Sequence, residues 1–384
     1  MSRPTFSSHA PLQRILILIP SAYLFYINQG LALREAFVQA GVDSLLLVDG
    51  MGDDSLRATL ASFSPQAVMS INHARPAVLD RFPNIRHLRW IQDNQFGQED
   101  YRQQAAHSQS DICYFATTRL KNVIPLQGRH YTGTLRFAAK PAGQPVTEEP
   151  AAAFSLVGYI PAATLLDACF QISTEQRFTG WDYLDYLDRT QQHSLDTALE
   201  ALDDLVETFL QQQGTRSSCL PPEALRLLRE EYFRAFNRLR LTRQVLSLGQ
   251  GCRIYGTPEW LSWAEFQPFF HGPLVTRQEN DAVFRSTAIN LHNGGTLSHP
   301  RVFECMAAWG GPLMANHTPA EPELGFEPDV HFVEFDLASF NHGAIPLLED
   351  PSRRRAMSAA AHQLISQRHT WVHRVQQIMK DLQQ

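Results

Sequence analysis

The stretch AINLHNGGTLSHPRVFECMAAWGGPLMAN, residues 288–316, decides the fold of the second half of the chain. A short apolar run predicts a buried strand, a loop with two adjacent glycines follows, and an amphipathic run then predicts a helix. Pro300 suits the first helical position because its missing N–H would have no partner there, so Ser298 or His299 is expected at the N-cap. Two more glycines precede a second apolar run. This order of elements predicts one unit of a parallel α/β sheet.

The loop brings the start of the predicted helix to the carboxyl end of a strand, where open α/β sheets bind ligands. Gly294 and Gly295 would let the backbone approach a phosphate closely, and the free N–H groups of a helix start attract anions. One turn inside, Arg301 could neutralise a diphosphate, and Glu304 could accept hydrogen bonds from a ribose diol. The alternative is a surface ion pair on an ordinary helix with glycines that serve a turn, and these residues alone leave both interpretations open.

The first 140 residues show the same alternation of short apolar runs and amphipathic runs. Strands that are apolar on both faces and separated by helices predict a doubly wound parallel sheet. The predicted strands cover residues 15–20, 44–49, 67–72, 87–92 and 111–117, and the predicted helices cover residues 31–41 and 54–62.

The second half begins after a stretch rich in Pro, Gly and Ala, residues 138–153, which is interpreted as a linker. The predicted fold class is therefore α/β, with two Rossmann-like domains at residues 1–140 and 154–352. A helical region at residues 162–248 is predicted within the second domain, and C-terminal helices at residues 353–384 are expected to cross back to the first. The second-domain strands are predicted at residues 154–160, 253–256, 288–293, 311–316 and 331–335.

Length and composition limit the number of domains and the kinds of partner that the protein is expected to have. A chain of 384 residues exceeds what one hydrophobic core usually holds, so two domains are expected. The net charge of −6 gives no reason to expect nucleic-acid binding. The five cysteines form no CxxC pair and fit a reducing compartment, and the longest apolar run is too short for a membrane span. We therefore expect a cytoplasmic protein, with peripheral membrane association and oligomeric state left open.

Several motifs in order resemble the C-terminal half of GT-B glycosyltransferases, and most closely the CgeB-like, spore-protein-type group. The resemblance covers roughly residue 154 to the C-terminus and is weaker before it. The residues that carry it are Val157-Gly158, Ile254-Tyr255-Gly256, His271-Gly272, Ser298, Arg301-Val302-Phe303-Glu304, Gly310-Gly311, Phe326-Glu327-Pro328 and His369-Thr370-Trp371.

The resemblance implies two Rossmann-like domains facing a cleft, with a nucleotide-diphospho-sugar as donor and no cofactor or metal. Glu304 would hold the donor ribose, while Arg301 would face the diphosphate together with Ser298 and His299. Thr296 stands where the wider retaining pattern has a glutamate. The implied reaction transfers a sugar to a hydroxyl of a saccharide, a protein or a lipid-linked glycan. A sugar-nucleotide epimerase, a phosphorylase and a non-catalytic sugar- or nucleotide-binding protein remain alternatives.

A base that accepts the acceptor's proton is expected from the first domain. His73 and Asp93 each follow a predicted strand at the end where ligands bind, and imidazole titrates near neutral pH. The alternative is that Asp93 makes a turn and His73 caps a helix.

Four further residues are candidates for substrate contacts. Asn28 and Gly30 follow the first strand and resemble the glycine-bearing acceptor loop of GT-B folds. Tyr255 and Gly256 are candidates for the donor site, where the aromatic ring would line the nucleotide base. Such aromatic residues more often belong to a core.

Overall fold

The computed structural model describes residues 11–48, 52–73, 75–92, 112–123, 131–173, 176–190, 199–319 and 321–383. Asp93, one of the two candidate bases, lies outside these residues. The chain divides into two compact units. The first comprises Met1–Lys140 with Ile365–Gln384, and the second comprises Pro141–Leu364.

The first unit contains a six-stranded sheet in the order β2-β1-β3-β4-β5-β6. All its neighbouring strands are parallel, and the residues of β3 are buried on both faces, as expected for a sheet covered by helices on both sides. The predicted parallel α/β sheet is therefore confirmed. Its strands are β1 (Arg14–Ile19), β2 (Asp43–Val48), β3 (Ala67–Ile71), β4 (Arg86–Ile91), β5 (Ile112–Phe115) and β6 (Tyr131–Thr134).

The first helix begins earlier than predicted, and this changes the interpretation of the residues after β1. Helix α1 spans Leu24–Gln39, so Asn28 and Gly30 lie within it and the predicted loop is wrong. A Cβ atom on Gly30 would lie 2.6 Å from Leu46 Cδ1, so this glycine lets α1 pack closely on the sheet. The first unit also contains α2 (Asp53–Phe63) and α3 (Thr118–Val123).

The second unit contains a five-stranded parallel sheet in the order β10-β7-β11-β12-β13. The predicted linker packs against the second unit. Ala142 N donates to Ala307 O at 2.9 Å, and His362 Nε2 lies 3.0 Å from Ala142 O. The strands are β7 (Ala152–Val157), β10 (Cys252–Tyr255), β11 (Thr287–His292), β12 (Leu313–Asn316) and β13 (Phe332–Phe335).

The region predicted as almost wholly helical, residues 162–248, also contains a short antiparallel hairpin of β8 (Cys169–Gln171) and β9 (Arg177–Thr179). Strands of three residues are too short to show a period of two, which explains why the sequence pattern missed them. Phe170 and Phe178 stack across the hairpin with ring centroids 4.9 Å apart. The helices here are α4 (Gly180–Thr190), α5 (Leu199–Gln212), α6 (Pro222–Arg226), a π-helical segment (Leu227–Tyr232) and α7 (Phe233–Ser247).

The remaining helices complete the two units. Helix α12 belongs to the first unit, whereas α8 to α10 belong to the second. Within the described ranges, none of the helices combines the length and the apolar character that crossing a bilayer requires. These helices are α8 (Arg277–Arg285), α9 (Pro300–Ala307), α10 (Phe340–Glu349), α11 (Pro351–Arg368) and α12 (Trp371–Asp381).

Candidate functional site

The predicted strand–loop–helix unit forms at the carboxyl end of β11. His299 is the N-cap of α9, and its Nδ1 accepts a hydrogen bond from Arg301 N at 3.3 Å. Pro300 occupies the first helical position. Helix α9 buries Val302 and Phe303, so its start is fixed against the sheet. The positive end of its dipole therefore lies at the ligand-binding edge of the sheet.

Two side chains, one at the end of the next strand and one beyond it, hold the loop between β11 and α9. Asn316, the last residue of β12, accepts from Gly294 N at 2.9 Å and donates to Gly294 O at 3.0 Å. Thr296 Oγ1 accepts from Ser298 N at 2.9 Å and donates to the carboxylate of Glu321. Backbone donors and acceptors of the loop are thus paired before any ligand binds, which fixes its shape.

The two loop glycines have different surroundings. A Cβ atom on Gly294 would lie 2.5 Å from His292 Nε2, so only glycine leaves room for that imidazole ring. A Cβ atom on Gly295 would meet nothing within 4 Å, and this residue is exposed. Gly295 therefore offers the open stretch of backbone that the sequence analysis expected of the pair.

Arg238, in helix α7, is a residue that the sequence analysis missed. It is only 8% exposed, and its Nε and Nη1 atoms have no hydrogen-bond partner among the described residues. Its guanidinium lies against Gly158, just beyond β7, where an added Cβ atom would be 3.1 Å from Nη1. The sequence does indicate that Arg238 is buried. It lies three residues after buried Ala235 and four before buried Thr242, on the apolar face of its helix.

Arg238, His292, His299 and Arg301 form what we call the basic cluster. Burial and the neighbouring Arg301 lower the pKa of Arg238 well below its ordinary value. Burial also lowers the pKa of His292 to about 3, and it lowers that of His299 strongly; both arginines add to these effects. The histidines are therefore neutral. Two neighbouring guanidinium charges that repel each other would be stabilised by an anion between them.

The nearby carboxylate of Glu231 does not hydrogen-bond to Arg238. Tyr159 Oη donates to Glu231 Oε2 at 2.9 Å, and Arg234 Nη1 donates to Oε1 at 2.8 Å. Burial and the charge of Glu231 raise the pKa of the Tyr159 hydroxyl. Glu231 lies in the π-helical segment, a local geometry that often occurs at functional sites. Its partners hold this carboxylate and leave the Arg238 guanidinium available.

Glu304 is half-buried one turn into α9. Burial raises the pKa of its carboxyl to about 7, although the charges of Arg277 and Arg301 oppose the rise. Arg277 Nε lies 3.3 Å from Asp281 Oδ2, while Asp281 Oδ1 is buried with no partner among the described residues. An acceptor for ligand hydroxyls therefore lies next to the basic cluster, in reach of two arginine charges.

The structure brings several of the predicted site residues together within one segment of the second unit. Tyr255 and Gly256 lie at the end of β10, which β7 separates from β11. Tyr255 is buried with its ring 5.5 Å from that of His271. An added Cβ atom on Gly256 would clash with Gly158 O, so Gly256 lies next to the residue that the Arg238 guanidinium contacts. His73 follows β3 in the first unit and is half-buried. The predicted residues that lie together in the β11–α9 segment are Gly294, Gly295, Ser298, His299, Arg301 and Glu304.

Metal ligands were not expected. In the part of the chain that the structure describes, no three His, Cys, Asp or Glu side chains are grouped to hold a metal ion.

Comparison with solved structures finds glycosyltransferases of low similarity. Spinosyn forosaminyltransferase SpnP is 10% identical over 98% of this chain and 100% of its own, with a TM-score of 0.47. The lipopolysaccharide outer core galactosyltransferase WaaB is 9% identical over 95% and 98%, also with a TM-score of 0.47. SnogD from Streptomyces nogalater is 11% identical over 97% and 99%, with a TM-score of 0.43. Because these scores are low, they carry no functional weight.

Comparison with protein-family models is more direct. Residues 229–380 match a family described as "Glycosyl transferase-like". No curated protein sequence matches the chain. The matched range contains the whole basic cluster together with Glu304 and the loop that Asn316 holds. The family match of the segment that contains the site supports the prediction of a glycosyltransferase.

Proposed function

We propose that the protein is a metal-independent glycosyltransferase, most similar to the CgeB-like group, with a nucleotide-diphospho-sugar as donor. Its acceptor is a hydroxyl of a saccharide, a protein or a lipid-linked glycan. The observation that carries the donor assignment is Arg238, a buried guanidinium with two unpartnered nitrogens close to Arg301 and the start of α9. A diphosphate would supply the missing acceptors and charge for both arginines.

The same groups suit the chemistry of transfer. The bond between the anomeric carbon and the phosphate oxygen breaks while the acceptor oxygen bonds to that carbon, so negative charge grows on the departing diphosphate. Arg238, Arg301 and the dipole of α9 are placed to stabilise that charge. His292 and His299 are neutral and contribute hydrogen-bonding nitrogens without further positive charge. In an inverting reaction, the proton of the acceptor hydroxyl would pass to a base, for which His73 is a candidate.

Glu304 is proposed to hold the donor ribose. Its pKa of about 7 makes the carboxyl easy to protonate in the free protein. As a carboxylate it accepts hydrogen bonds from a diol, and those bonds lower its pKa again. Nucleotide binding is therefore coupled to release of a proton from Glu304 near neutral pH.

A cytoplasmic location is proposed from the cysteines. All five are free, and Cys169 and Cys219 are exposed. Free exposed thiols are typical of a reducing compartment.

Calorimetry with the full chain tests the donor assignment. UDP, GDP, UMP and GMP are each titrated into the protein in buffer with EDTA, and the affinity of each diphosphate is compared with that of its monophosphate. We expect one diphosphate to bind about tenfold or more tightly than its monophosphate, because the second phosphate adds charge-assisted hydrogen bonds. Equal affinities, or no nucleotide binding, would contradict the proposal. A donor-hydrolysis screen then separates the alternatives, since an epimerase converts the sugar without releasing nucleotide and a phosphorylase releases it only with phosphate.

A further inference from the structure

Two buried glutamines in the first unit present hydrogen-bonding atoms that no described residue satisfies. Gln29, in α1, is 5% exposed, and Gln92, directly after β4, is 7% exposed. Gln92 Nε2 donates to Gln29 Oε1 at 2.7 Å. Among the residues that the structure describes, Gln29 Nε2 and Gln92 Oε1 have no hydrogen-bond partner. The pair therefore offers one free donor and one free acceptor.

This count does not depend on how the two amides are oriented. Turning both amides over reverses the bond between them and again leaves one NH₂ group and one carbonyl oxygen free. Leaving such groups buried and unpaired costs free energy, so a ligand that satisfies both binds favourably. A hydroxyl group is the simplest such ligand because it donates and accepts at once.

The pair lies at the edge where doubly wound sheets bind their ligands. Gln92 N donates to Asn72 Oδ1 at 2.7 Å, and Asn72 Nδ2 donates to Tyr26 Oη at 3.1 Å. Asn72 directly follows β3 and Gln92 directly follows β4, so both lie at the carboxyl edge of the sheet. Open α/β sheets bind their ligands at this edge.

Exposed apolar side chains occur at the start of the helix that carries Gln29. Tyr23, Leu24 and Phe25 at the start of α1 are 71%, 44% and 40% exposed. The rings of Phe25 and Tyr26 meet edge to face with centroids 5.1 Å apart. Phe25 lies one turn before Gln29 and so shares its side of the helix. An exposed aromatic side chain one turn from unsatisfied polar atoms is typical of a ligand site.

We propose that the acceptor is a molecule whose hydroxyl group is carried on an apolar or aromatic body. The hydroxyl bonds to Gln29 and Gln92, and the body lies on Phe25. This inference rests on the proposed function, because it names the acceptor class of that reaction. It favours an apolar alcohol or phenol over a wholly polar sugar.

A pair of coumarins that differ only in the hydroxyl tests the proposal. The full chain is titrated with 7-hydroxy-4-methylcoumarin and with 7-methoxy-4-methylcoumarin, and binding is followed by fluorescence. We expect the hydroxy compound to bind about tenfold more tightly, since the methyl ether cannot donate. Methyl β-glucoside, which has hydroxyls but no apolar body, should not displace it at equal concentration.

Variants assign the two parts of the site. Gln29→Met and Gln92→Met should each bring the ratio between the two coumarins towards one, because each removes hydrogen-bonding atoms at nearly constant volume. Phe25→Ser should weaken both coumarins by a similar factor. Val38→Ser is the matched control, because Val38 is 57% exposed at the other end of the same helix. Melting curves show whether each variant folds.

Three results of the coumarin titrations would refute the inference. Absent binding of the hydroxycoumarin, equal binding of the two coumarins by the native chain, or a ratio that both glutamine variants leave unchanged would each refute it. UDP and GDP calorimetry on the same samples separates this from the donor site. If the native chain binds nucleotide but not the hydroxycoumarin, only the acceptor class is refuted. If the native chain does not bind nucleotide, the proposed function is refuted.

Discussion

Replacing Arg238 with methionine should make the protein more stable and worse at binding nucleotide. Methionine keeps most of the volume and removes a buried cation that has two unpartnered nitrogens. An unsatisfied buried polar group costs about 1–3 kcal/mol, so we expect the free energy of unfolding to rise by about that amount. The same change removes the charge-assisted hydrogen bonds that Arg238 is proposed to donate to the diphosphate.

The expected loss of affinity is larger than the experimental error of calorimetry. Hydrogen bonds to charged groups contribute about 1.5–3 kcal/mol each. A loss of about 2–3 kcal/mol corresponds to about 30- to 150-fold weaker binding of UDP or GDP. Chemical denaturation measures the stability change, and nucleotide titration measures the affinity.

Arg243→Met is the matched control on the same helix. The Arg243 side chain is 56% exposed and its Nε donates to Glu265 Oε1 at 2.8 Å. Exposed ion pairs contribute little, so both measurements should change by less than about 1 kcal/mol. If Arg238→Met lowers stability and leaves nucleotide affinity intact, the guanidinium has a structural role and the assignment of the basic cluster is wrong.

Three further predictions concern charge, metal and the base. The pKa of Glu304 is raised from 4.5 to about 7, so its contribution to stability is fully present below pH 4.5 and is lost as the pH rises through 7. Glu304→Gln should remove up to about 3 kcal/mol of the change in the free energy of unfolding between pH 4.5 and 7. If the free energy of unfolding changes with pH in the same way in both proteins, this prediction is wrong. Donor turnover should survive EDTA, because Arg238 and Arg301 stabilise the leaving group; rescue of a dead reaction by Mn²⁺ would reveal a metal site. His73→Ala should lower kcat by about 10²–10⁴-fold with unchanged nucleotide affinity, and an unchanged kcat would place the base elsewhere.

The sheets were predictable because their strands are apolar on both faces. Residues 15–20 and 288–293 match β1 and β11 within one residue at each end. Strand β6 was missed because its sequence, YTGT, is short and polar. The start of α1 was missed because the run from Leu24 to Gly30 has a glycine that suggested a loop, whereas the glycine is needed for packing against Leu46.

The site was predictable only where it is local in sequence. Pro300 and the loop glycines indicate the start of α9, and Arg301 and Glu304 lie within its first turns. Arg238 lies far from this segment in the sequence and comes from a helix with several other arginines. Whether an arginine on such a helix faces solvent or a ligand depends on what packs beside it, and that information is not local.

The π-helical segment at Leu227–Tyr232 makes the position of Arg238 depend on chain length as well as on residue type. A π turn holds one residue more than an α turn, and each residue of an α-helix advances the side chains by about 100°. Deleting one residue from this segment would allow an unbroken α-helix, but the parts before and after it could no longer both keep their present faces inward. An insertion or deletion here would thus act like a substitution at Arg238 without changing the arginine. Natural variation in the length of this segment is therefore informative about donor binding, even in chains that retain every residue of the basic cluster.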